Sequence, residues 1–238
     1  MTRRRWIADE ISGNTAAVIG AHADHLVRSL RARVGQEFDI VVNGVVRSGR
    51  VSSVEDHRVE FELGEEIVSN VVATNLTLLL AIFKFDRMEW AIEKATELGV
   101  IRVVPLIAQR TDTYLASAAE KRVERWRRIA AQASEQSRRV AAPEITLPTK
   151  LRDAITPVDS LKIVLSEVEQ QVSLRQVLDE HRASKDLSLA IGPEGGWTQA
   201  ELDLLQKQGW ISVSLGPTIL RAETATIASV AIAMSYTI

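Results

Sequence analysis

The spacing of apolar residues changes its period partway along the chain. Ala16 to Ile19 is a short apolar run, and Glu37 to Val42 and Val45 to Val54 flank Asn43-Gly44. That dipeptide accepts positive φ at both centres of a two-residue turn, so the flanking runs predict a β-hairpin. From His57 to Leu63, Val59, Phe61 and Leu63 share one face and charged residues take the other. A helix over Asp24–Arg33, ending near Gly35, interrupts these strands. Short strands with tight turns predict a small barrel or half-barrel. Glu65 to Ala73 reads as its last strand or as a linker.

At Leu76 to Phe83 the pattern becomes apolar on both faces, as in a strand covered on both sides of a parallel sheet. Strand and helix then alternate. A helix over Arg87–Leu98 ends at Gly99, a suitable residue to follow a helix C-terminus. Arg102–Ile107 is a strand and Ala116–Val140 a long helix. Leu161–Leu165 is a strand and Leu174–His181 a helix. Leu187–Ile191 and Ile211–Leu215 are strands, with a helix over Gln199–Gln208 between them. Such alternation predicts an α/β fold with a parallel sheet. The last helix, Thr224 to Tyr236, is apolar on nearly all sides through Ala225, Ile227, Ala228, Val230, Ala231, Ile232, Ala233 and Met234. A helix of this kind must be buried. The sheet can cover one face, so a second subunit is the natural cover for the other, and a homodimer is expected.

Two strands stop abruptly at Gly-Pro, Leu189 to Pro193 and Leu215 to Pro217, and each feeds a helix. Proline removes a backbone donor and fixes φ, so neither run continues as an interior strand. Gly195 and Gly196 then allow the backbone to turn and to approach a ligand. Thr198 with Glu201 forms a capping box for the helix that follows. Adjacent strand ends that turn in this way build the ligand crevice of an open α/β sheet.

Composition narrows the chemistry. The 238 residues contain no Cys, which excludes disulfides, thiol catalysis and Cys-based zinc sites. His22, His25, His57 and His181 have no ligand spacing, so no metal is expected. The N-terminal Arg3-Arg4-Arg5 lacks the apolar stretch of a secretory signal, and no run reaches the length of a membrane span, so a cytoplasmic location is expected. A formal charge of -2 argues against a polycation but leaves room for local basic faces.

The run Ile191-Gly192-Pro193-Glu194-Gly195-Gly196, followed by Leu215-Gly216-Pro217 and Ile219-Leu220-Arg221-Ala222-Glu223-Thr224, resembles the C-terminal signature of the SPOUT methyltransferases. More narrowly it resembles the RsmE family, which methylates N3 of a uridine in small-subunit (16S) ribosomal RNA. Upstream, Asp86-Arg87-Met88-Glu89-Trp90 leading into Lys94-Ala95-Thr96-Glu97-Leu98-Gly99 resembles the family's first helix. Ser134-Glu135-Gln136-Ser137, with Arg139 and Pro143, resembles its middle motif. Phe85 stands where the family usually has Gly, and Arg138 where Gly usually precedes Arg139.

The resemblance implies a SPOUT domain over 71–238, with a mostly parallel sheet and a C-terminal trefoil knot. It also implies a PUA-like β-barrel RNA-binding domain over 1–70. The implied cofactor is S-adenosylmethionine, held in the knot by Leu165, Ser166, Glu167, Ile191, Gly192, Pro193, Gly195, Gly196, Leu215, Gly216, Ile219, Leu220 and Thr224. Uridine N3 carries a proton and is a poor nucleophile until that proton is lost or shared. Arg221 is therefore the candidate to stabilise the developing anion, and Glu194 and Glu223 are candidates to orient the base or accept the proton. The implied partner is 16S ribosomal RNA within the small subunit. Its candidate contacts are Arg3, Arg4, Arg5, Arg28, Lys84, Arg87, Arg110, Gln136, Arg138 and Arg139. A net positive run also marks the long helix, where Lys121, Arg122, Arg125, Arg127, Arg128, Arg138 and Arg139 outnumber Glu120, Glu124 and Glu135. Arg3 to Arg5 with Arg28, Arg31 and Arg33 make a second basic group.

Three other readings compete. A phosphate-binding enzyme would use the glycine turn as an anion cradle, but neither G-x-x-x-x-G-K-[ST] nor G-x-G-x-x-G occurs. A non-catalytic ribosome-assembly factor would not need the cofactor-loop residues. A ribose 2′-O-methyltransferase of the same superfamily is disfavoured only by the resemblance of the N-terminal β domain and the Glu135-Gln136-Ser137 motif to the base methylases.

Overall fold

A computed structural model describes residues 5–67, 74–137, 139–155, 160–182 and 184–236. Within it the chain forms two compact units, one of 5–67 with 139–141, the other of 74–137 with 142–236. The expected boundary at residue 70 lies outside the described residues.

The first unit contains β1 (Arg5–Ile7), β2 (Glu10–Ser12), β3 (Thr15–Ile19), α1 (Gly20–Asp24), β4 (Glu37–Val42), β5 (Val45–Glu55) and β6 (Arg58–Glu66). The strands make an open six-stranded sheet in the order β1-β4-β5-β6-β3-β2, antiparallel except for β1 on β4. Asn43 and Gly44 have φ of 50° and 82°, and Val42 pairs with Val45, so the hairpin forms as the dipeptide requires. Gly49 lies where a Cβ would come within 2.3 Å of Ile40, so its bare backbone lets β5 press against β4. Val18, Leu26, Ile40, Val59 and Phe61 are fully buried in one apolar cluster.

The expected helix over Asp24–Arg33 is displaced. Helical structure starts at Gly20, widens into a π turn over His25–Ser29, and stops before Arg31, whose φ is +51°. The start and the wide turn together bury Ala23 and Leu26 in the same core, a tertiary gain that local propensity does not encode.

The second unit contains β7 (Asn75–Ala81), α2 (Phe85–Glu97), β8 (Arg102–Ile107), α3 (Thr113–Ala118), α4 (Val123–Gln136), β9 (Glu144–Ile145), β10 (Thr149–Lys150) and α5 (Leu151–Ala154). It continues with β11 (Leu161–Leu165), α6 (Leu174–Glu180), β12 (Asp186–Ile191), α7 (Gln199–Lys207), β13 (Ile211–Val213) and α8 (Ala222–Ser235). All its strand pairs are parallel, in the order β10-β8-β7-β12-β11-β13, with β9 also on β8. Leu76, Leu78 and Leu80 of β7 enter one cluster, with Met88, Ile92, Trp126 and Val230, while Leu79 and Ala81 enter another, with Trp197, Leu205 and Trp210. A strand apolar on both faces is thus covered on both faces.

The expected helix over Ala116–Val140 is broken. Asp112 caps α3, its carboxylate accepting from Tyr114 N and Leu115 N at 2.8 and 3.2 Å. A 3₁₀ turn over Ala119–Arg122 then bends the chain into α4, which ends before Ser137. The bend buries Ala119 and Val123 and sets the Arg122 guanidinium 4.8 Å over the Phe85 ring. The strand expected to reach Leu215 stops at Val213, because Ser214 turns aside to bridge Ser173.

Candidate active site

Adjacent strands β12, β11 and β13 end at Ile191, Leu165 and Val213, and the three loops that leave them are fastened to one another. Ser166 N donates to Val213 O at 3.0 Å, Ser214 N to Val172 O at 2.8 Å, and Leu174 N to Ser214 O at 3.0 Å. The Trp197 indole N–H donates to Leu165 O at 3.0 Å and ties the loop after β12 to the other two. Together they enclose a cavity of about 870 Å³, within the size range of small-molecule sites.

The loop after β12 turns sharply because Gly196 N bonds back to Pro193 O at 2.8 Å, with Gly196 at φ +70°. A Cβ at Gly196 would lie 2.5 Å from Glu167 Oε1, so the Glu167 carboxylate rests against this glycine. A Cβ at Gly192 would lie 3.1–3.3 Å from the Trp197 ring, so its absence lets the indole lie flat on the backbone. Past the turn, Thr198 and Glu201 form the anticipated capping box, and the same Glu201 carboxylate accepts from Gln109 N at 2.8 Å.

Of the expected cofactor residues, Leu165, Ser166, Glu167, Ile191, Gly192, Pro193, Gly196, Leu215, Gly216, Ile219 and Leu220 line this cavity. Ile219 does so while 81% exposed. Thr224 lies outside the lining, exposed on α8. Gly195 lies outside it too: the direction of its missing Cβ faces Arg110, and its carbonyl accepts from Arg110 Nη1 at 2.7 Å. The sequence reading did not include Trp197 or the 168–173 stretch, which also line the cavity. A tryptophan directly after Gly-Gly, outside any helical or strand period, was the available signal for the first.

The charged groups gather at the N-termini of α2 and α8. Arg221 and Glu194 line the cavity, and Arg221, just before α8, is exposed. Glu223 is only 5% exposed, and its Oε2 has no hydrogen-bond partner. Arg87 lines the cavity as well, donating from Nη1 to Glu194 Oε1 at 3.1 Å, with its Nε 3.7 Å from Glu223 Oε1.

The expected RNA contacts are dispersed. Arg3, Arg4 and Arg138 lie outside the described residues. In the first unit Arg5 is half-buried on β1 and Arg28 is exposed. Arg139 is half-buried there, and burial holds its guanidinium below the usual range. In the second unit Lys84 and Gln136 are exposed at helix ends, while Arg110 is fastened to the Gly195 and Trp197 carbonyls. On the net positive long helix some cations are paired. Arg125 is bound to Glu89 through two hydrogen bonds, and Arg127 to Glu124 and the Ile145 carbonyl. Lys121 and Arg128 remain exposed and outside any ion pair among the described residues. Among those residues no group of three or more His, Cys, Asp or Glu is placed to hold a metal, and no helix is long and apolar enough to cross a membrane.

A parallel sheet whose strand-end loops interlock around a small-molecule cavity, in a chain that also carries a small β unit, places the protein in the SPOUT class of α/β folds. Comparison with known proteins narrows this. The profile of the RNA methyltransferase domain matches residues 71–234. The ribosomal RNA small subunit methyltransferase E of Aquifex aeolicus is 31% identical over 97% of this chain and 99% of its own length. The Bacillus subtilis protein of the same name is 29% identical over 93% of this chain and 90% of its own. Among solved structures, the Neisseria gonorrhoeae enzyme of that name, bound to S-adenosyl methionine, superposes with a TM-score of 0.76 at 30% identity, over 97% of this chain and 96% of that one. A putative methyltransferase from Legionella pneumophila, also in complex with that cofactor, gives 0.75 at 25% identity, over 99% and 98%. The chain belongs to the ribosomal RNA small subunit methyltransferase E family of RNA methyltransferases.

Proposed function

We propose that the protein transfers a methyl group from S-adenosylmethionine to N3 of a uridine in small-subunit (16S) ribosomal RNA. The observation that carries this is the cavity itself: the residues of the family signature, separated in sequence, close around one space. The site fits the cofactor. Leu165, Ile191, Leu215 and Leu220 give apolar wall for an adenine, and the bare backbone at Gly192 and Gly196 gives fixed polar groups for its edge. When bound, the cofactor supplies a methyl group on a positively charged sulfur.

The chain's own groups then have to hold the base and deal with its proton. Losing the N3 proton spreads negative charge over O2 and O4, and Arg221 offers a planar fork of donors at the cavity wall for it. Glu194 lines that wall, and Glu223 lies outside the lining, directly after Ala222, which lines it; one of them or water would take the N3 proton. Residues 71–238 constitute the transferase domain. Residues 1–70 constitute a PUA-like RNA-binding domain, with Arg5 and Arg28 among its phosphate contacts. The protein acts in the cytoplasm as a homodimer, with α8 as the shared surface.

The test is transfer of labelled methyl from S-adenosylmethionine to ribosomal RNA, naked and in small subunits, with the product nucleoside identified by mass spectrometry. 3-Methyluridine is expected. A 2′-O-methylated nucleoside, or no transfer to either substrate, overturns the assignment.

A further inference from the structure

Arg87 was expected on the RNA path, and its surroundings point elsewhere. It sits in the first turn of α2 and reaches two carboxylates from two other elements, Glu194 of the loop after β12 and Glu223 at the start of α8. Its side chain is 31% exposed and that of Glu223 only 6%. Glu223 has one oxygen 3.7 Å from the guanidinium and another with no partner at all. A carboxylate buried in this way is costly unless a cation compensates it, and among the described residues Arg87 is the cation paired with it. Two carboxylates brought to one guanidinium would repel each other, and the cation between them offsets that repulsion.

We propose that Arg87 is a positioning residue for methyl transfer, tying Glu194, which lines the cavity, to the buried Glu223 at the start of α8. This rests on the methyltransferase reading above. Arg87 acts through the carboxylates: it fixes the Glu194 side chain at the cavity and keeps the N-termini of α2 and α8 in register with the loop after β12. Its Nη1 donates to Glu194 and its Nε faces Glu223 at 3.7 Å, so the guanidinium meets protein carboxylates on two sides.

The experiment uses the full chain and variants Arg87→Lys, Arg87→Gln, Glu194→Gln and Arg87→Gln/Glu223→Gln. Three quantities are measured on each: single-turnover transfer to small subunits, S-adenosylmethionine affinity by calorimetry, and the salt dependence of RNA affinity. Arg87→Gln and Glu194→Gln should each slow transfer about tenfold, the scale of one charged hydrogen bond. Arg87→Lys, which keeps charge but cannot serve both carboxylates, should fall between wild type and Arg87→Gln. A fifth variant, Arg87→Lys/Glu194→Gln, measured in the same way, should slow transfer no further than Glu194→Gln alone, because both act through one contact. Cofactor affinity should stay within about threefold of wild type, and the salt slope should not change. If Arg87→Gln unfolds, Glu223→Gln should restore folding by removing the uncompensated charge, and Glu194→Gln, a change at a partly exposed side chain, still reads the kinetic effect. Normal transfer in Arg87→Lys and Glu194→Gln, additive losses, or a salt slope about 0.7 shallower in Arg87→Gln overturns the proposal. A wild-type protein that transfers no methyl overturns the functional reading instead.

Discussion

Neighbouring glycines at the cavity do different work, and their surroundings separate them. Gly196 holds φ at +70°, where an L side chain costs about 1 kcal/mol, and a Cβ there would displace the Glu167 carboxylate. Gly195 has no positive φ, and a Cβ there would make only ordinary contact, 3.4 Å from Arg110. Gly196→Ala should therefore lower stability by about 1 kcal/mol and weaken S-adenosylmethionine binding, while Gly195→Ala should do neither. Thermal denaturation and calorimetry on the same preparations check both; equal losses in the two variants would place the demand for glycine on sequence, not on conformation. Arg221 provides the complementary case. It is exposed and outside any ion pair among the described residues, so Arg221→Lys should leave folding and cofactor affinity intact. Transfer should still slow by about 10²-fold if its fork meets the developing anion. Single-turnover rates decide this, and a normal rate would assign the anion to another donor.

The elements that position the site differ in how far local sequence determines them. Leu76 to Ala81, Leu161 to Leu165 and Leu187 to Ile191 were legible because a buried parallel strand is apolar on both faces, and each does pack on both. The capping box at Thr198 was legible because its two partners lie three residues apart. The two- and three-residue strands β1, β2, β9 and β10 were not: they are too short to show a period, and all but β2 pair with strands distant in sequence. The break at Ala119–Arg122 was hidden because Ala, Glu, Lys and Arg all favour helix, and burial of Ala119 and the Arg122–Phe85 contact make the bend. The loop after β11 was also hidden, because it is shaped by its own side chain. The Glu169 carboxylate accepts from Gln171 N at 2.8 Å and Val172 N at 3.1 Å, and these bonds hold its carboxyl below the ordinary 4.5. A carboxylate favoured when charged stabilises the loop above that ordinary value, and the contribution is lost as pH falls through the lowered one. Hydrogen exchange at Gln171 and Val172 should thus lose protection as pH drops below 4.5, beyond any change at amides elsewhere in α6 and β12. In Glu169→Gln that extra pH dependence should vanish; if it persists, another group clips the loop.

Charge and packing over the whole chain bear on its partners. A protein with formal charge -2 can hold RNA only through local cations, and two of those on α4, Arg125 and Arg127, are spent on Glu89 and Glu124. The surface of α8 has a more definite consequence. Thr226, Ser229, Val230 and Ala233 are buried within the subunit, so Val230→Glu would disrupt folding whatever the oligomeric state. Ala225, Ile232 and Met234 pack at the edge of the same core. Ile227, Ala228 and Ala231 remain half-buried and outside that core. With Thr224 before them and Ser235 after, both exposed, they form one continuous helical face at i, i+3 and i+4 spacing. A face of this kind on a helix with little charge gains most by meeting its own copy across a two-fold axis, where each apolar residue finds a partner on the other chain. Wild-type protein should therefore sediment as a dimer at micromolar concentration. Ile227→Glu and Ala228→Glu should each shift it toward monomer, since a carboxylate buried at such an interface lacks a compensating charge. Circular dichroism on the same samples should show an unchanged fold, because neither side chain belongs to the subunit core. A wild-type monomer, or variants that remain dimeric, would remove α8 as the shared surface.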